Sequence, residues 1–133
     1  MPILIDGHNL IGRMPTLSLQ DPNDEEDLVT LLVAYRARTG KAVTVVFDPG
    51  GSPGLLSKRR QGGVEIVFAS HRGGADDLIA RRVTRSPDPG GCTVVTSDQE
   101  LARRVARRGA RVRRADDFAG ELGPAGDEGD PWK

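Results

Sequence analysis

Carboxylate and amide side chains stand directly after the most apolar runs of this chain. Asp6 follows residues 3–5, with Asn9 three residues further on, and Asp48 follows residues 43–47. A side chain at the end of a buried strand is held in a fixed position, which is what a catalytic or metal-binding group requires. The pattern therefore predicts reactive groups at the carboxyl ends of two strands.

Two further segments carry acids in equivalent positions. Ser97 and Asp98 follow the apolar residues 93–96, and Asp76 and Asp77 open a predicted helix. In an open parallel sheet, the carboxyl ends of the strands and the starts of the following helices share one edge, and ligands bind there. We therefore expect four segments of the chain to bring carboxylates to the same edge of a sheet.

Like charges held close together are costly to ionise, so such a cluster requires a cation. Mg²⁺ and Mn²⁺ bind carboxylate oxygens and retain several waters, whereas zinc sites are built mainly from cysteine and histidine. The sequence has one cysteine and two histidines, and none of them is spaced as a zinc-ligand pair. The acids therefore predict a magnesium or manganese site.

Structural roles for these residues compete with the catalytic ones. Asp48 begins an Asp-Pro-Gly turn sequence, and Asn9 suits an Asx turn or a helix cap. Ser97 has the capping-box spacing with Glu100. Adjacent acids also favour a helix N-terminus without any catalytic role. Only the convergence of several acids at one edge distinguishes a site from a set of turns and caps.

Buried strands and amphipathic helices alternate along the chain. Continuous apolar runs predict strands that are buried on both faces, and apolar residues at helical spacing predict helices between them. This alternation indicates an α/β sandwich around a mainly parallel sheet. The predicted strands are 3–5, 43–47, 64–69 and 93–96, with a weak edge strand at 111–114. One helix is predicted after an Asn23–Glu26 capping box, a second begins near residues 74–77, a third follows residues 97–98, and a last helical turn falls at 115–122. Residues 49–63 are predicted to form a glycine-rich basic loop.

A chain of 133 residues suits one domain. We assign residues 1–122 to it and expect residues 123–133, which are rich in glycine, proline and acid, to form a disordered tail. No apolar run approaches the roughly 20 residues of a membrane span. The first residues also lack the pattern of a secretory signal. These features predict a cytoplasmic protein without membrane contact.

The net charge is zero, but the basic residues are concentrated in the middle of the chain. Residues 58–114 contain 14 basic and 6 acidic side chains, while both flanking segments are acidic. Such a local surplus is typical of a surface that binds a polyanion. We expect the Lys58-Arg59-Arg60 cluster, in the predicted loop, to contact a nucleic-acid backbone. The four arginines between 103 and 108 are predicted to form a solvated helix face.

Several motifs resemble the YacP-like branch of NYN domains, which belong to the PIN-like nuclease superfamily. IDGHNLIG matches the Asp-Gly-x-Asn signature, and VVFDPGG, KRRQGGVEIVFA, GGADDLIARRV and VVTSDQELARRVARRGA follow in the order seen in that branch. The resemblance spans residues 3–114. It implies a PIN-like three-layer α/β sandwich with a central, mainly parallel sheet, and RNA cleavage that depends on Mg²⁺ or Mn²⁺.

The same resemblance implies roles for individual residues. The implied catalytic residues are Asp6, Asn9, Asp76 and Asp98. The implied metal ligands are Asp6, Asp76 and Asp98. Secondary catalytic candidates are Asp48, Asp77 and Ser97, of which Ser97, with Thr96, is expected to position water or phosphate. The residues expected to bind the RNA backbone are Lys58, Arg59, Arg60 and Arg72.

The leading hypothesis is an endoribonuclease that hydrolyses RNA to 5′-phosphate and 3′-hydroxyl ends. An alternative is a catalytically weak or inactive module that binds RNA or associates with the ribosome. A phosphatase of the haloacid dehalogenase type also places an aspartate after its first strand. That class needs a second aspartate two residues later, where this chain has His8. Metal-dependent cleavage of RNA separates the first hypothesis from the second.

Overall fold

The carboxyl ends of the parallel strands meet at one edge of a six-stranded sheet. The computed structural model describes residues 2–49, 57–70 and 73–122. Its strands are β1 (Ile3–Asp6), β2 (Val43–Phe47), β3 (Ser57–Gln61), β4 (Val64–Phe68), β5 (Thr93–Val95) and β6 (Arg111–Arg113). Its helices are α1 (Gly7–Ile11), α2 (Asp24–Thr39), α3 (Gly74–Arg85), α4 (Gln99–Ala106) and α5 (Ala115–Leu122), with a 3-10 turn at Pro89–Gly91.

The strand order in the sheet is β3-β4-β2-β1-β5-β6. All neighbouring pairs are parallel apart from β3 with β4, which are antiparallel. After β1 the chain adds strands on one side of it, and after β4 it crosses back to add β5 and β6 on the other side. The direction in which the chain adds strands to the sheet therefore reverses between β1 and β5. Such a switch point opens a crevice at the carboxyl ends of the two strands.

Alternate side chains of the strands face two separate hydrophobic cores. Ile3 and Ile5 of β1 pack in the first core, together with side chains of α1, α2 and α5. Leu4 packs in the second core, which contains side chains of α3 and α4. Central strands that are buried on both faces need apolar residues at successive positions, as predicted. The three-layer α/β sandwich with a mainly parallel sheet is confirmed.

The turn from β1 into α1 requires a glycine. The helix begins at Gly7, directly after Asp6, and Gly7 is buried. A Cβ atom at Gly7 would lie 2.4 Å from Cε1 of Phe47, well inside van der Waals contact. Glycine thus lets the chain leave the strand and enter the helix at once, which keeps Asp6 and Asn9 at the same edge. The sequence pattern does not predict α1, because its five residues are too few to show helical periodicity.

The prediction of a continuous loop at residues 49–63 is wrong, because residues 57–61 form strand β3. The turn between β3 and β4 consists of Gly62 and Gly63, whose φ angles are +56° and +85°. Glycine pairs with positive φ favour tight hairpins. β3 lies at the sheet edge and all five of its residues are exposed and polar. It therefore lacks the alternating apolar pattern by which strands are recognised.

Two predicted capping boxes are also wrong. Asn23 precedes α2 without a side-chain bond to the helix, and its backbone N–H donates to Oδ1 of Asp21 at 2.9 Å. Asp98, and not Ser97, caps α4. Several polar residues near a helix start have the chemistry to cap it, and tertiary contacts decide which one binds the free N–H groups.

The other predicted elements occur close to their expected positions. β6 and α5 form where an edge strand and a last helical turn are predicted.

No helix within residues 2–49, 57–70 and 73–122 combines the length and the apolar character needed to cross a bilayer. Residues 50–56, Arg72 and the predicted disordered tail at 123–133 lie outside the described residues.

Candidate active site

Asp6 lies at the centre of the candidate site, at the carboxyl end of β1 beside the switch point. Only 6% of this residue is exposed. The hydroxyl of Thr96, which follows the neighbouring strand β5, donates a hydrogen bond to Oδ2 of Asp6 at 3.0 Å. Thr96 is itself buried. The adjacent strands thus hold the Asp6 carboxylate in one orientation.

The electrostatic environment of Asp6 is strongly unfavourable to its charge. Burial raises the pKa of Asp6 to about 7, although the hydrogen bond from Thr96 opposes the increase. Three neighbouring carboxylates raise this pKa further, those of Asp76, Asp48 and Asp98. The segments that carry these four acids are therefore close enough to act on one another, and together they disfavour the ionised form of Asp6.

Asp76 lies in the first turn of α3. Burial raises the pKa of Asp76, and the charges of Asp98 and Asp48 raise it further, while Arg104 lowers it. Asp98 and Asp48 also act on Asp6, so these four acids form one electrostatic unit. A cation bound among them would relieve the repulsion that raises both pKa values.

Asp98 has two functions in the structure. Its Oδ1 accepts hydrogen bonds from the backbone N–H groups of Glu100 and Leu101, at 2.9 and 3.2 Å, and so caps α4. Its own N–H donates to the hydroxyl of Thr96 at 3.0 Å. Thr96 therefore links the backbone at Asp98 to the carboxylate of Asp6. Both capping bonds use Oδ1, which leaves Oδ2 for a ligand.

Asn9 and Ser97 join the two sides of the crevice. Oδ1 of Asn9 accepts a hydrogen bond from the backbone N–H of Ser97 at 2.7 Å. The Ser97 hydroxyl donates to Oδ1 of Asp116 at 2.8 Å and accepts from the N–H of Ala115 at 3.0 Å. The contacts of these two side chains are thus with the framework around the acids, and their assigned catalytic roles stay predictions.

Asp48 anchors the start of α3. Its Oδ1 accepts a hydrogen bond from the N–H of Ala75 at 3.2 Å, which fixes Asp76, the next residue. His8 stands between two acids, with Nδ1 3.4 Å from Oδ2 of Asp48 and Nε2 2.7 Å from Oε2 of Glu25. The sequence pattern does not indicate Glu25 as a site residue, because an acidic residue at the start of a helix already has a local explanation.

Asp77 differs from Asp76 in what it contacts. Its Oδ1 lies 3.0 Å from a guanidinium nitrogen of Arg104 on the neighbouring helix α4. It is not among the charges that raise the pKa of Asp6 or Asp76. The structure therefore places Asp77 beside the acidic unit and not within it.

The acids fit a hard cation by their chemistry, but they are not assembled around one. Within residues 2–49, 57–70 and 73–122, no three His, Cys, Asp or Glu side chains converge closely enough to hold a metal ion as they stand. Mg²⁺ commonly uses one or two carboxylates and retains its waters, so close convergence of three ligands is not required. A cation bound beside Asp6 and Asp76 would favour their ionised forms, against the burial and the neighbouring carboxylates that raise both pKa values.

The predicted RNA-binding cluster is divided between two faces of the sheet. Lys58 pairs with Val67, which belongs to the core under α3, whereas Arg59 pairs with Ile66, which belongs to the core under α2. Successive side chains of a strand point to opposite faces. Lys58 and Arg60 therefore lie on the α3 face and Arg59 on the other face. Arg72 is outside the described residues.

Comparisons with known proteins agree with this architecture. The family model of the YacP-like NYN domain matches residues 3–129. Over 83 residues the chain is 34% identical to YacP of Bacillus subtilis (strain 168), a protein described as uncharacterized, and this region is 59% of the chain and 49% of that protein. The chain thus matches about half the length of this curated relative.

Solved structures of the Bacillus subtilis protein have the same fold. The crystal structure of Rae1 (YacP) aligns with a TM-score of 0.76 and 28% identity, over 92% of this chain and 73% of that chain. A point mutant of Rae1 (YacP) aligns with a TM-score of 0.75 and 25% identity, over 91% and 74%. Each alignment covers more than nine-tenths of this chain.

Proposed function

The chain belongs to the YacP-like NYN family, whose domains are nuclease-like, and we propose that it is a metal-dependent endoribonuclease. It hydrolyses RNA phosphodiester bonds to 5′-phosphate and 3′-hydroxyl ends. The observation that supports this most is the buried Asp6 at the switch point, whose pKa is raised to about 7 by burial and by three further carboxylates. Buried acids whose pKa values are raised by burial and by neighbouring carboxylates are typical of catalytic sites.

Asp6, Asp76 and Asp98 are the proposed ligands of Mg²⁺ or Mn²⁺. A cation held there would lower the pKa of water and offset the negative charge of the phosphate. Thr96 keeps the Asp6 carboxylate in place through the bond to Oδ2. Asn9 fixes the Ser97 backbone, so the segment that carries Asp98 keeps its distance from β1. The framework thus holds the acids before substrate arrives, as electrostatic catalysis requires.

RNA is the proposed substrate, with the backbone held by Lys58, Arg59, Arg60 and Arg72. Contacts between phosphates and these cations would make binding weaken as salt rises. The sequence has only three Phe, one Tyr and one Trp. Extensive stacking of bases on aromatic rings is therefore not expected, and recognition depends mainly on the backbone. A cytoplasmic location, where RNA is free or on the ribosome, is part of the same proposal.

The test is cleavage of a 5′-labelled RNA by wild-type protein and by Asp98→Asn. Asparagine caps helices as well as aspartate does, so the substitution keeps α4 while it removes the charge. We expect loss of cleavage in Asp98→Asn, and wild-type products with 3′-hydroxyl ends. The matched control is Asp88→Asn, an exposed acid ahead of β5 at the opposite edge of the sheet. Products with cyclic phosphate ends, or full activity in Asp98→Asn, would exclude the proposed chemistry.

A further inference from the structure

Charge is sorted between the two helical layers of this protein. Helices α1, α2 and α5, which share one face of the sheet, carry seven carboxylates and two arginines. On the other face, α3 and residues 99–108 carry seven arginines and three carboxylates. A polyanion that reaches the acidic site is therefore repelled by the first layer and attracted by the second.

A groove of about 370 Å³ lies between α3 and α4. One side is lined by Arg104, Arg107 and Arg108, which are exposed, and the other by Ala80 and Thr84. The small residues of α3 leave room above the helix contact, while the arginines project guanidinium groups along it. A guanidinium group forms paired hydrogen bonds with phosphate oxygens. The chemistry of this groove suits a chain of phosphates.

The arginines of the groove differ in their pairing. Arg104 lies 3.0 Å from Asp77. Within the part of the chain that the structure describes, no carboxylate oxygen lies within 4.0 Å of the charged nitrogens of Arg107 or Arg108. Elsewhere, Arg82 is held by Glu65 with bonds of 2.8 and 2.9 Å, as expected of a structural arginine. Arg107 and Arg108 are therefore available to an external anion.

The two helices that border the groove begin at the acidic site. Asp76 lies in the first turn of α3 and Asp98 caps α4, so both helices that border the groove start at the acids. Arg104, at the head of the groove, lies 3.0 Å from Asp77, the residue that follows Asp76 in α3. At 1.5 Å per helical residue, Arg107, which caps the end of α4, lies roughly 14 Å from Asp98. The arginines thus reach phosphates next to the cleaved bond and not the cleaved phosphate itself.

We propose that the groove between α3 and α4 binds the backbone phosphates of the RNA beside the cleavage position, through Arg104, Arg107 and Arg108. This inference rests on the proposed function, because it takes RNA as the substrate. It also changes the expected ranking of the basic residues. The preference for Lys58, Arg59 and Arg60 depends on their forming one loop, whereas β3 separates their side chains onto two faces.

The experiment measures binding of a labelled single-stranded RNA to the full chain in EDTA, across a series of salt concentrations. The test variant is Arg107→Gln/Arg108→Gln, which keeps the pair between Arg104 and Asp77. The control is Lys41→Gln/Arg111→Gln, which removes the same charge from two exposed residues at the opposite edge of the sheet. Because each lost phosphate contact removes about 0.7 from the salt slope for a single strand, we expect the slope to fall by about 1.4.

At 0.1 M salt the same relation predicts affinity weaker by roughly tenfold or more in the test variant, and affinity within about twofold of wild type in the control. Arg107→Lys/Arg108→Lys should retain most of the salt slope, because charge supplies that part of the affinity. An unchanged salt slope in the glutamine variant would overturn the proposal that the groove binds RNA. Equal losses of affinity in the test and control variants would also overturn it. Cleavage of RNA by wild-type protein is a separate measurement. A failure of the proposed RNA binding in the groove can therefore be distinguished from a failure of the proposed nuclease function.

Discussion

At the scale of single residues, Asp6 is the position where folding and function make opposite demands. Burial and three neighbouring acids raise its pKa to about 7, against about 3.9 for an unfolded aspartate. Between these two values the folded protein binds a proton at Asp6 that the unfolded chain does not. The stabilising contribution of protonated Asp6 is therefore complete at low pH and is lost as pH rises through about 7.

This difference predicts the pH dependence of stability without metal. In EDTA, Asp6→Asn should raise the free energy of unfolding at pH 8 relative to wild type, because the amide is never charged. The gain should be roughly 2–4 kcal/mol at pH 8 and should shrink towards pH 4. Urea unfolding of both proteins at pH 4, 6 and 8 measures it, and a gain that does not depend on pH would contradict the assigned environment of Asp6.

The two adjacent acids of α3 should differ in their effect on cleavage. Asp76 belongs to the acidic unit of the site, whereas Asp77 pairs with Arg104. We expect Asp76→Ala to slow cleavage on the order of 100-fold, because it removes a proposed metal ligand, and Asp77→Ala to cost less than about tenfold. Single-turnover rates at saturating Mn²⁺ give the comparison. Equal losses, or a larger loss at Asp77, would show that the ligand assignment is wrong.

At the scale of secondary-structure elements, the sequence predicts the helices and strands whose buried side chains form a regular apolar pattern. β1, β2, β4 and β5 are mainly apolar because both faces of the sheet are covered, and α3 repeats Ala75, Leu78, Ile79 and Val83 at helical spacing. The strand β3 leaves no such pattern, since all its side chains face solvent. Its glycine pair at 62–63 is the signal that indicates a hairpin.

The candidate site is also predictable only in part. The placement of Asp6, Asp76 and Asp98 at one edge of the sheet is predictable, because the ends of parallel strands and the starts of the following helices share an edge. The partners of Asn9 and Ser97 are not predictable, since they depend on contacts 88 and 19 residues apart. Local sequence instead suggests caps and turns for the same residues, and tertiary packing decides between the alternatives.

Gly7→Ala tests how closely the turn from β1 into α1 is packed, and Gly120→Ala in α5 is the comparison. In Gly7→Ala the new methyl group would lie 2.4 Å from Cε1 of Phe47, and overpacking of this kind costs about 1–3 kcal/mol. Gly120→Ala in α5 meets no atom within 4 Å and should stabilise the protein by roughly 0.5–1 kcal/mol. Thermal unfolding compares the two. A stable Gly7→Ala protein would show that the close packing of β1 and α1 against Phe47 is not needed.

At the scale of the whole molecule, chain connectivity accounts for the distribution of charge. α3 and α4 follow one another in crossovers that run in the same direction along the sheet, so they lie on the same face. The basic middle of the sequence therefore becomes one basic layer, and the acidic flanks become the opposite layer.

The dependence of RNA cleavage on Mn²⁺ concentration tests the central claim most directly. Wild-type protein should show a cleavage rate that rises from none in EDTA and saturates with Mn²⁺, because the cation completes the charge balance around Asp6. Asp6→Asn should show no cleavage at any Mn²⁺ concentration while it remains folded, and Asp88→Asn should behave as wild type. Cleavage by wild-type protein in EDTA, or near wild-type rates in folded Asp6→Asn, would contradict the account.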